Sequence, residues 1–219
     1  MRSEEVRKRI AEIGIVPSAR VKKADHAVFA AETLYTSGIP VIEITLTLPE
    51  ATKVIESLAK RFPDLIVGAG TVLDEQTAQR CIDAGARFLT SPGLVVEIVG
   101  CAKRADVVVF PGALTPTEVI AAWKAGADFV KLYPAGTAGG PNYVRAIKTP
   151  LPQIPLIVTG GVNQNTTLDY LLAGATAIGI GSELLPRDAI QNHHSDRIHE
   201  LARRFLQMVK EANAQRTSE

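Results

Sequence analysis

Eight short runs rich in β-branched and aliphatic residues recur along the chain, and amphipathic segments separate them. The runs are IGIVPSAR (13–20), VIEITL (41–46), LIVGAGTV (65–72), RFLTSP (87–92), VVVFPGAL (107–114), FVKLYP (129–134), LIVTGGV (156–162) and AIGIGSELL (177–185). Between them lie helical patterns such as DHAVFAAETLYTSG, DEQTAQRCIDAG and PTEVIAAWKAG. Asp25, Asp74 and Thr115 open these segments as candidate N-caps. Gly38, Gly85, Gly126 and Gly174 close them, where a helix end favours a left-handed residue. Strands joined by helical crossovers run parallel, and a parallel sheet is covered on both faces. Eight such units within 219 residues predict a closed (β/α)8 TIM barrel. The alternative is an open doubly wound sheet, marked by a G-x-G-x-x-G turn after its first strand. Here that strand runs into PSARVKKAD instead.

Residues 1–219 are expected to form a single domain, because neither GTAGGPNY (136–143) nor PRDAIQNHHSD (186–196) is long enough for a linker. A helix over 3–12 precedes the first strand and is expected to cap the bottom of the barrel. The tail EANAQRTSE (211–219) is expected to fray. A formal charge of +1 supplies no field that would draw nucleic acid or an anionic membrane. An aromatic content of 5% also argues against a base-stacking surface. MRSEEVRKRIAEIG alternates charges without the apolar core of a signal peptide, and no run reaches the roughly 18–20 apolar residues of a membrane span. A cytoplasmic location is the expectation. Cys81 and Cys101 sit in helical patterns as reduced, inert thiols, too few for a zinc set. None of the four histidines, His26, His193, His194 and His199, ends a strand; neither metal nor cofactor is expected.

In such a barrel the chemistry collects at the carboxyl ends of the strands, and reactive residues do fall there. They are Arg20 in strand one, Glu43 and Thr45 in strand two, Thr71 ending strand three and Pro92 ending strand four. Lys131 follows in strand six, Thr159, Gly160 and Gly161 in strand seven, and Gly181 and Ser182 in strand eight. Of ten lysines, only Lys131 interrupts an apolar strand. Strand alternation puts Phe129, Lys131 and Tyr133 on one face and Val130 and Leu132 on the other. The second face packs on helices, so Lys131 points inward. Removing an amine from water disfavours its charged form, and a neutral amine is the nucleophile that forms a Schiff base with a carbonyl. Glu43, also inward in VIEITL, is the candidate to exchange protons with it. A purely structural Lys131–Glu43 pair is the competing reading. The glycines of TGG and GIGS let backbone N–H groups approach an anion, with helix N-termini adding their dipoles, and Ser182 adds a hydroxyl. The small residues of GAGTV (68–72) and TSPG (90–93) either line this site or simply make room.

Taken together, VIEITLTLPEA, IVGAGTVLDEQ, FLTSPGL, PGALTPTE, FVKLYPAG and IVTGGVNQNT…GIGSELL resemble the KDPG/KHG aldolase family, in order, over about residues 11–207. That resemblance implies a (β/α)8 barrel, commonly trimeric, from bacterial sugar-acid catabolism including the Entner–Doudoroff route. It implies a class I aldolase that cleaves 2-keto-3-deoxy-6-phosphogluconate (KDPG) to pyruvate and glyceraldehyde 3-phosphate, with pyruvate and a phosphorylated keto acid as ligands. The Schiff-base lysine of the family falls on Lys131 and the acid–base glutamate on Glu43. Thr71 and Pro92 fall on the pyruvyl pocket, Tyr133 on a position often held by Phe, and Gly160, Gly161 and Ser182 on the phosphate site. One position departs. Many members read E-[VI]-T-L-R-T, with the Arg on the substrate carboxylate, where this chain has Thr47. Arg20 in IVPSAR is the candidate replacement.

The departure leaves the phosphogalactonate relative as an alternative substrate assignment, and 4-hydroxy-2-oxoglutarate as a further one. A phosphate-binding barrel enzyme without an imine would keep the glycines but have no use for Lys131 beside Glu43. A non-catalytic sugar-acid-binding barrel would need neither.

Overall fold

The apolar runs pair edge to edge as parallel strands. In the computed structural model, which describes residues 1–217, they are β1 (Ile15–Ala19), β2 (Val41–Thr45), β3 (Ile66–Gly70), β4 (Phe88–Thr90), β5 (Val108–Phe110), β6 (Gly112–Ala113), β7 (Val130–Leu132), β8 (Leu156–Thr159) and β9 (Ala177–Ile180). Their spatial order is β5-β4-β3-β2-β1-β9-β8-β7-β6. The fifth run is thus two short strands. Pro111 separates them, and a proline has no N–H for a ladder. β5 pairs with β4 while β6 pairs with β7. Asp128 N also donates to Val109 O at 2.9 Å, so the two halves act as one kinked strand that closes the ring. The fold is a (β/α)8 barrel, and the open sheet is excluded.

The helices are α1 (Ser3–Ile13), α2 (Ala24–Thr36), α3 (Ala51–Arg61), α4 (Glu75–Asp83), α5 (Val96–Arg104), α6 (Pro116–Lys124), α7 (Gly140–Lys148), α8 (Thr167–Leu172), α9 (Arg187–Gln191) and α10 (Ser195–Thr217). Asp74 caps α4 by accepting from Thr77 N, and Thr115 caps α6 in a reciprocal capping box with Glu118. The Asp25 expectation is corrected: α2 begins earlier, with Lys23 at the cap position, and Asp25 lies in the first turn. There it still opposes the positive end of the helix dipole. Gly38, Gly85, Gly126 and Gly174 all have positive φ. Both loops weighed as linkers are partly helical, holding the start of α7 and all of α9.

Alternation sorts the strand residues into two shells. Ile42, Ile44, Val67, Leu89, Val109, Val130, Leu132, Val158 and Ile178 face outward and join the packing against the helices. Val16, Val41, Ile66, Phe88, Val108, Phe110, Phe129, Ile157 and Ala177 face inward and form a separate cluster with Val6 and Ile10 of α1. Phe88 stacks on Phe110 with centroids 4.9 Å apart, and Phe129 meets Phe110 edge-on at 6.0 Å. Helix α1 therefore plugs the bottom of the barrel, as expected.

The frayed tail is a second correction. α10 continues through Thr217, because Val209 and Ala212 are buried and Arg216 donates to the carbonyls of Leu171 and Ala175. Residues 218 and 219 lie outside the described residues. Cys81 and Cys101 are both free and buried; burial pushes the Cys81 thiol up to about 11 and also raises Cys101. Among the described residues, no helix is long and apolar enough to cross a membrane.

Candidate active site

On β2, β4, β7 and β8, one step of two residues leads from the apolar plug to a polar layer. Val41 is followed inward by Glu43 and Thr45, Phe88 by Thr90, Phe129 by Lys131 and Ile157 by Thr159. All five polar residues are buried, Lys131 at 7% exposure and Glu43 at 2%. Lys131 Nζ lies 3.6 Å from Glu43 Oε2. Between them sits Thr90, whose Oγ1 accepts from Lys131 Nζ at 3.2 Å and donates to Glu43 Oε2 at 3.0 Å.

The glycines of β3 make this arrangement possible. A Cβ on Gly70 would overlap the Glu43 carboxylate, and one on Gly68 would overlap the Phe88 ring. GAGTV thus makes room for the acid, and the reading of its glycines as spacers is correct. Thr71 is half-buried just past β3, with left-handed backbone at φ 63°. The following amide, Val72 N, donates to Thr90 O at 3.0 Å. Pro92 is exposed beyond β4, and its carbonyl backs onto Gly112.

Thr45 Oγ1 is the one buried side-chain oxygen or nitrogen among the described residues without a hydrogen-bond partner. An unpaired buried hydroxyl costs about 1–3 kcal/mol, a cost that a polar ligand group would relieve. It lies on the same inward row as Glu43.

Above this layer a cavity of about 780 Å³ opens at the carboxyl ends of β1, β7, β8 and β9. Arg20, Tyr133, Thr159, Gly160, Gly161, Gly181 and Ser182 line it together, so seven of the residues singled out in the sequence meet at one mouth. Tyr133 links the mouth to the polar layer: its ring centre is 6.0 Å from Lys131 Nζ. Lys131, Glu43, Thr45, Thr71 and Pro92 are not in that lining; the first three are buried in the polar layer.

The Gly160–Gly161 turn has φ values of 83° and 87°. A Cβ on Gly161 would press on Gly136 Cα, and Gly136 N donates to Gly160 O at 2.7 Å. The loop after β7 therefore packs directly on the glycine turn. The expected helix dipoles do not contribute closely, because α8 starts at Thr167 and α9 at Arg187, several residues beyond the glycines and Ser182.

Sequence reasoning missed two features. Thr90 lay in a segment left open, although its parity with Phe88 already directed it inward. Lys22, Lys23, His26 and Arg187 also line the mouth; of the three cations in the ARVKK run, only Arg20 stood out in the sequence. With Arg20, four cations face one acidic lining residue, Glu183. A cleft of one sign concentrates ligands of the other, here anions. Among the described residues, no group of three or more His, Cys, Asp or Glu could hold a metal ion.

Comparison with known proteins identifies relatives that match nearly the whole chain. A model of the family described as "KDPG and KHG aldolase" matches residues 6–201. The KHG/KDPG aldolase of Escherichia coli (strain K12) is 38% identical over 197 residues, covering 90% of this chain and 92% of that protein. A KDPG aldolase from Legionella pneumophila, solved with pyruvate captured at low pH as a covalent carbinolamine intermediate, superposes with TM-score 0.83 at 33% identity, covering 92% of this chain and 97% of that one. A structure described as native KDPGal gives TM-score 0.84 at 27% identity, covering 91% and 96%.

Proposed function

This chain belongs to the KDPG/KHG aldolase family, and on that premise we propose that it cleaves 2-keto-3-deoxy-6-phosphogluconate through an imine on Lys131. The observation that carries the reading is the buried Lys131 amine, 3.6 Å from the Glu43 carboxylate, beneath a mouth lined by cations. A structural pair is the weaker reading, because a buried ion pair rarely improves on apolar packing of the same volume, and the layer below packs without one.

Neutral Lys131 attacks the C2 ketone, and Glu43 exchanges protons as the carbinolamine loses water. The protonated imine then draws the electron pair of the C3–C4 bond as it breaks. Glu43, directly or through a water, takes the proton of the C4 hydroxyl, and glyceraldehyde 3-phosphate leaves. Protonation of the enamine at C3 and hydrolysis of the imine release pyruvate and return the amine. No cofactor enters any step.

Binding follows the mouth. The N–H groups around Gly160, Gly161 and Gly181 and the Ser182 hydroxyl hold the phosphate, which orients C4 toward the Lys131–Glu43 pair. Arg20 takes the substrate carboxylate in place of the family arginine replaced by Thr47. Thr45, Thr71, Pro92, Tyr133 and Thr159 shape the pyruvyl pocket, and the unpaired Thr45 hydroxyl meets a substrate oxygen there. Val96 on α5 and Ile120 and Trp123 on α6 are exposed, and they supply apolar surface for a homotrimer. The location is cytoplasmic.

Thr47, together with the KDPGal neighbour, supports a second reading in which 2-keto-3-deoxy-6-phosphogalactonate is the preferred substrate. Pyruvate release from KDPG, its galactonate epimer and 4-hydroxy-2-oxoglutarate, each measured with EDTA present, tests the assignment. Turnover of a phosphorylated substrate in EDTA supports it, and loss of all three activities sinks it. Ser182→Ala should raise KM for the phosphorylated substrates about tenfold and leave 4-hydroxy-2-oxoglutarate unaffected.

A further inference from the structure

The closest polar partner of the Lys131 amine is a hydroxyl. Thr90 Oγ1 is 3.2 Å from Nζ, whereas the Glu43 oxygen is 3.6 Å away, beyond the usual 2.7–3.2 Å of an N–H···O bond. Thr90 completes the connection by donating to Glu43 Oε2 at 3.0 Å. The hydroxyl thus accepts from the amine and donates to the carboxylate, the direction in which a proton must move to free the amine. The backbone on both sides of the side chain is fixed. Thr90 pairs with Phe110 across β4 and β5, its carbonyl accepts from Val72 N, and the residue is fully buried. Packing alone does not call for the oxygen, since valine would fill the same space. Both of its side-chain partners are ionisable.

We infer that Thr90 relays protons between Lys131 and Glu43 during imine formation, an inference that rests on the reaction proposed above. The relay acts twice. First the Lys131 ammonium passes a proton to Thr90 Oγ1 as the Thr90 hydroxyl proton moves to Glu43 Oε2, leaving a neutral amine and a carboxylic acid. The amine then bonds to C2, the carbonyl π pair moves onto oxygen, and that oxygen takes the Glu43 proton. The nitrogen, now positively charged, sends its extra proton through Thr90 to Glu43 again. Glu43 protonates the carbinol oxygen, the C–O bond breaks with its pair to release water, and the nitrogen lone pair forms the protonated imine. One ammonium has become one iminium, one water has formed, and Glu43 and Thr90 end unchanged.

The test compares wild type, Thr90→Val and Thr90→Ser by quenching pyruvate mixtures with borohydride at timed intervals. The rate of adduct formation on the Lys131 peptide is read by mass across the neutral pH range. The expected result is a roughly 10²-fold slower rate in Thr90→Val, rising with pH because protons must then leave to bulk hydroxide. Thr90→Ser should keep the wild-type rate and pH profile, as it keeps the hydroxyl. Two results overturn the relay: Thr90→Val forming adduct as fast as wild type, or both variants slowing alike with the wild-type pH profile, which marks a packing role. A wild-type chain that forms no adduct fails the aldolase reading itself.

Discussion

The barrel interior has two layers drawn from the same strands, and they differ in kind. The lower one, with Val41, Ile66, Phe88, Phe110 and Phe129, is apolar and is shut by α1. The upper one, with Glu43, Thr45, Thr90, Lys131 and Thr159, is buried almost as deeply yet polar. Identical backbone therefore supports packing at one level and reactivity at the next. A side chain at i+2 points the same way as one at i, so the lower layer fixes the strand spacing that the upper one uses. The contrast also explains why a charge pair is tolerated there: the rigid plug below holds its partners in reach.

Lys131→Met should break the contrast most severely. Turnover should fall below detection while far-ultraviolet circular dichroism stays that of the folded barrel. Adding Glu43→Leu should then make the upper layer resemble the lower one. Denaturant titration of the double variant should give stability equal to wild type or greater by about 1–4 kcal/mol, with no activity. A double variant clearly less stable than wild type would mean that the pair exists to hold the fold.

Gly70→Ala tests how tightly the upper layer is fitted. Its new Cβ overlaps the Glu43 carboxylate, and a displacement near 1 Å should lower kcat by about 10²-fold in steady-state assays. An unchanged kcat would show that Glu43 tolerates movement and is no positioned acid–base group. Ile66→Val, in the lower layer, should have the smallest effect. It should cost about 0.5–1.5 kcal/mol of unfolding free energy and leave turnover per folded molecule unchanged. A large loss of turnover there would erase the division between the layers.

Much of this was legible in the sequence because the signals are local. Lys131 and Glu43 stand out as charges inside apolar runs, and period two directs both inward. Asp74 and Thr115 announce helix starts within one turn of their partners. What stayed hidden depends on distant pairing. A threonine such as Thr90 is ordinary in a strand, and its partners come from 47 and 41 residues away. The break at Pro111 is invisible until its halves pair with different neighbours. Nothing local marks Lys22 and Lys23, which share the mouth with Arg187, far along the chain, only once the barrel is formed. The tail failed for a similar reason, since Arg216 is anchored by carbonyls of Leu171 and Ala175 that only the fold brings near.

The most direct measurement is borohydride reduction in the presence of pyruvate, followed by intact and peptide mass spectrometry. The account predicts one reduced pyruvyl adduct per chain, on the peptide containing Lys131, and none in Lys131→Met. An absence of adduct at saturating pyruvate, or an adduct on another lysine, would contradict it.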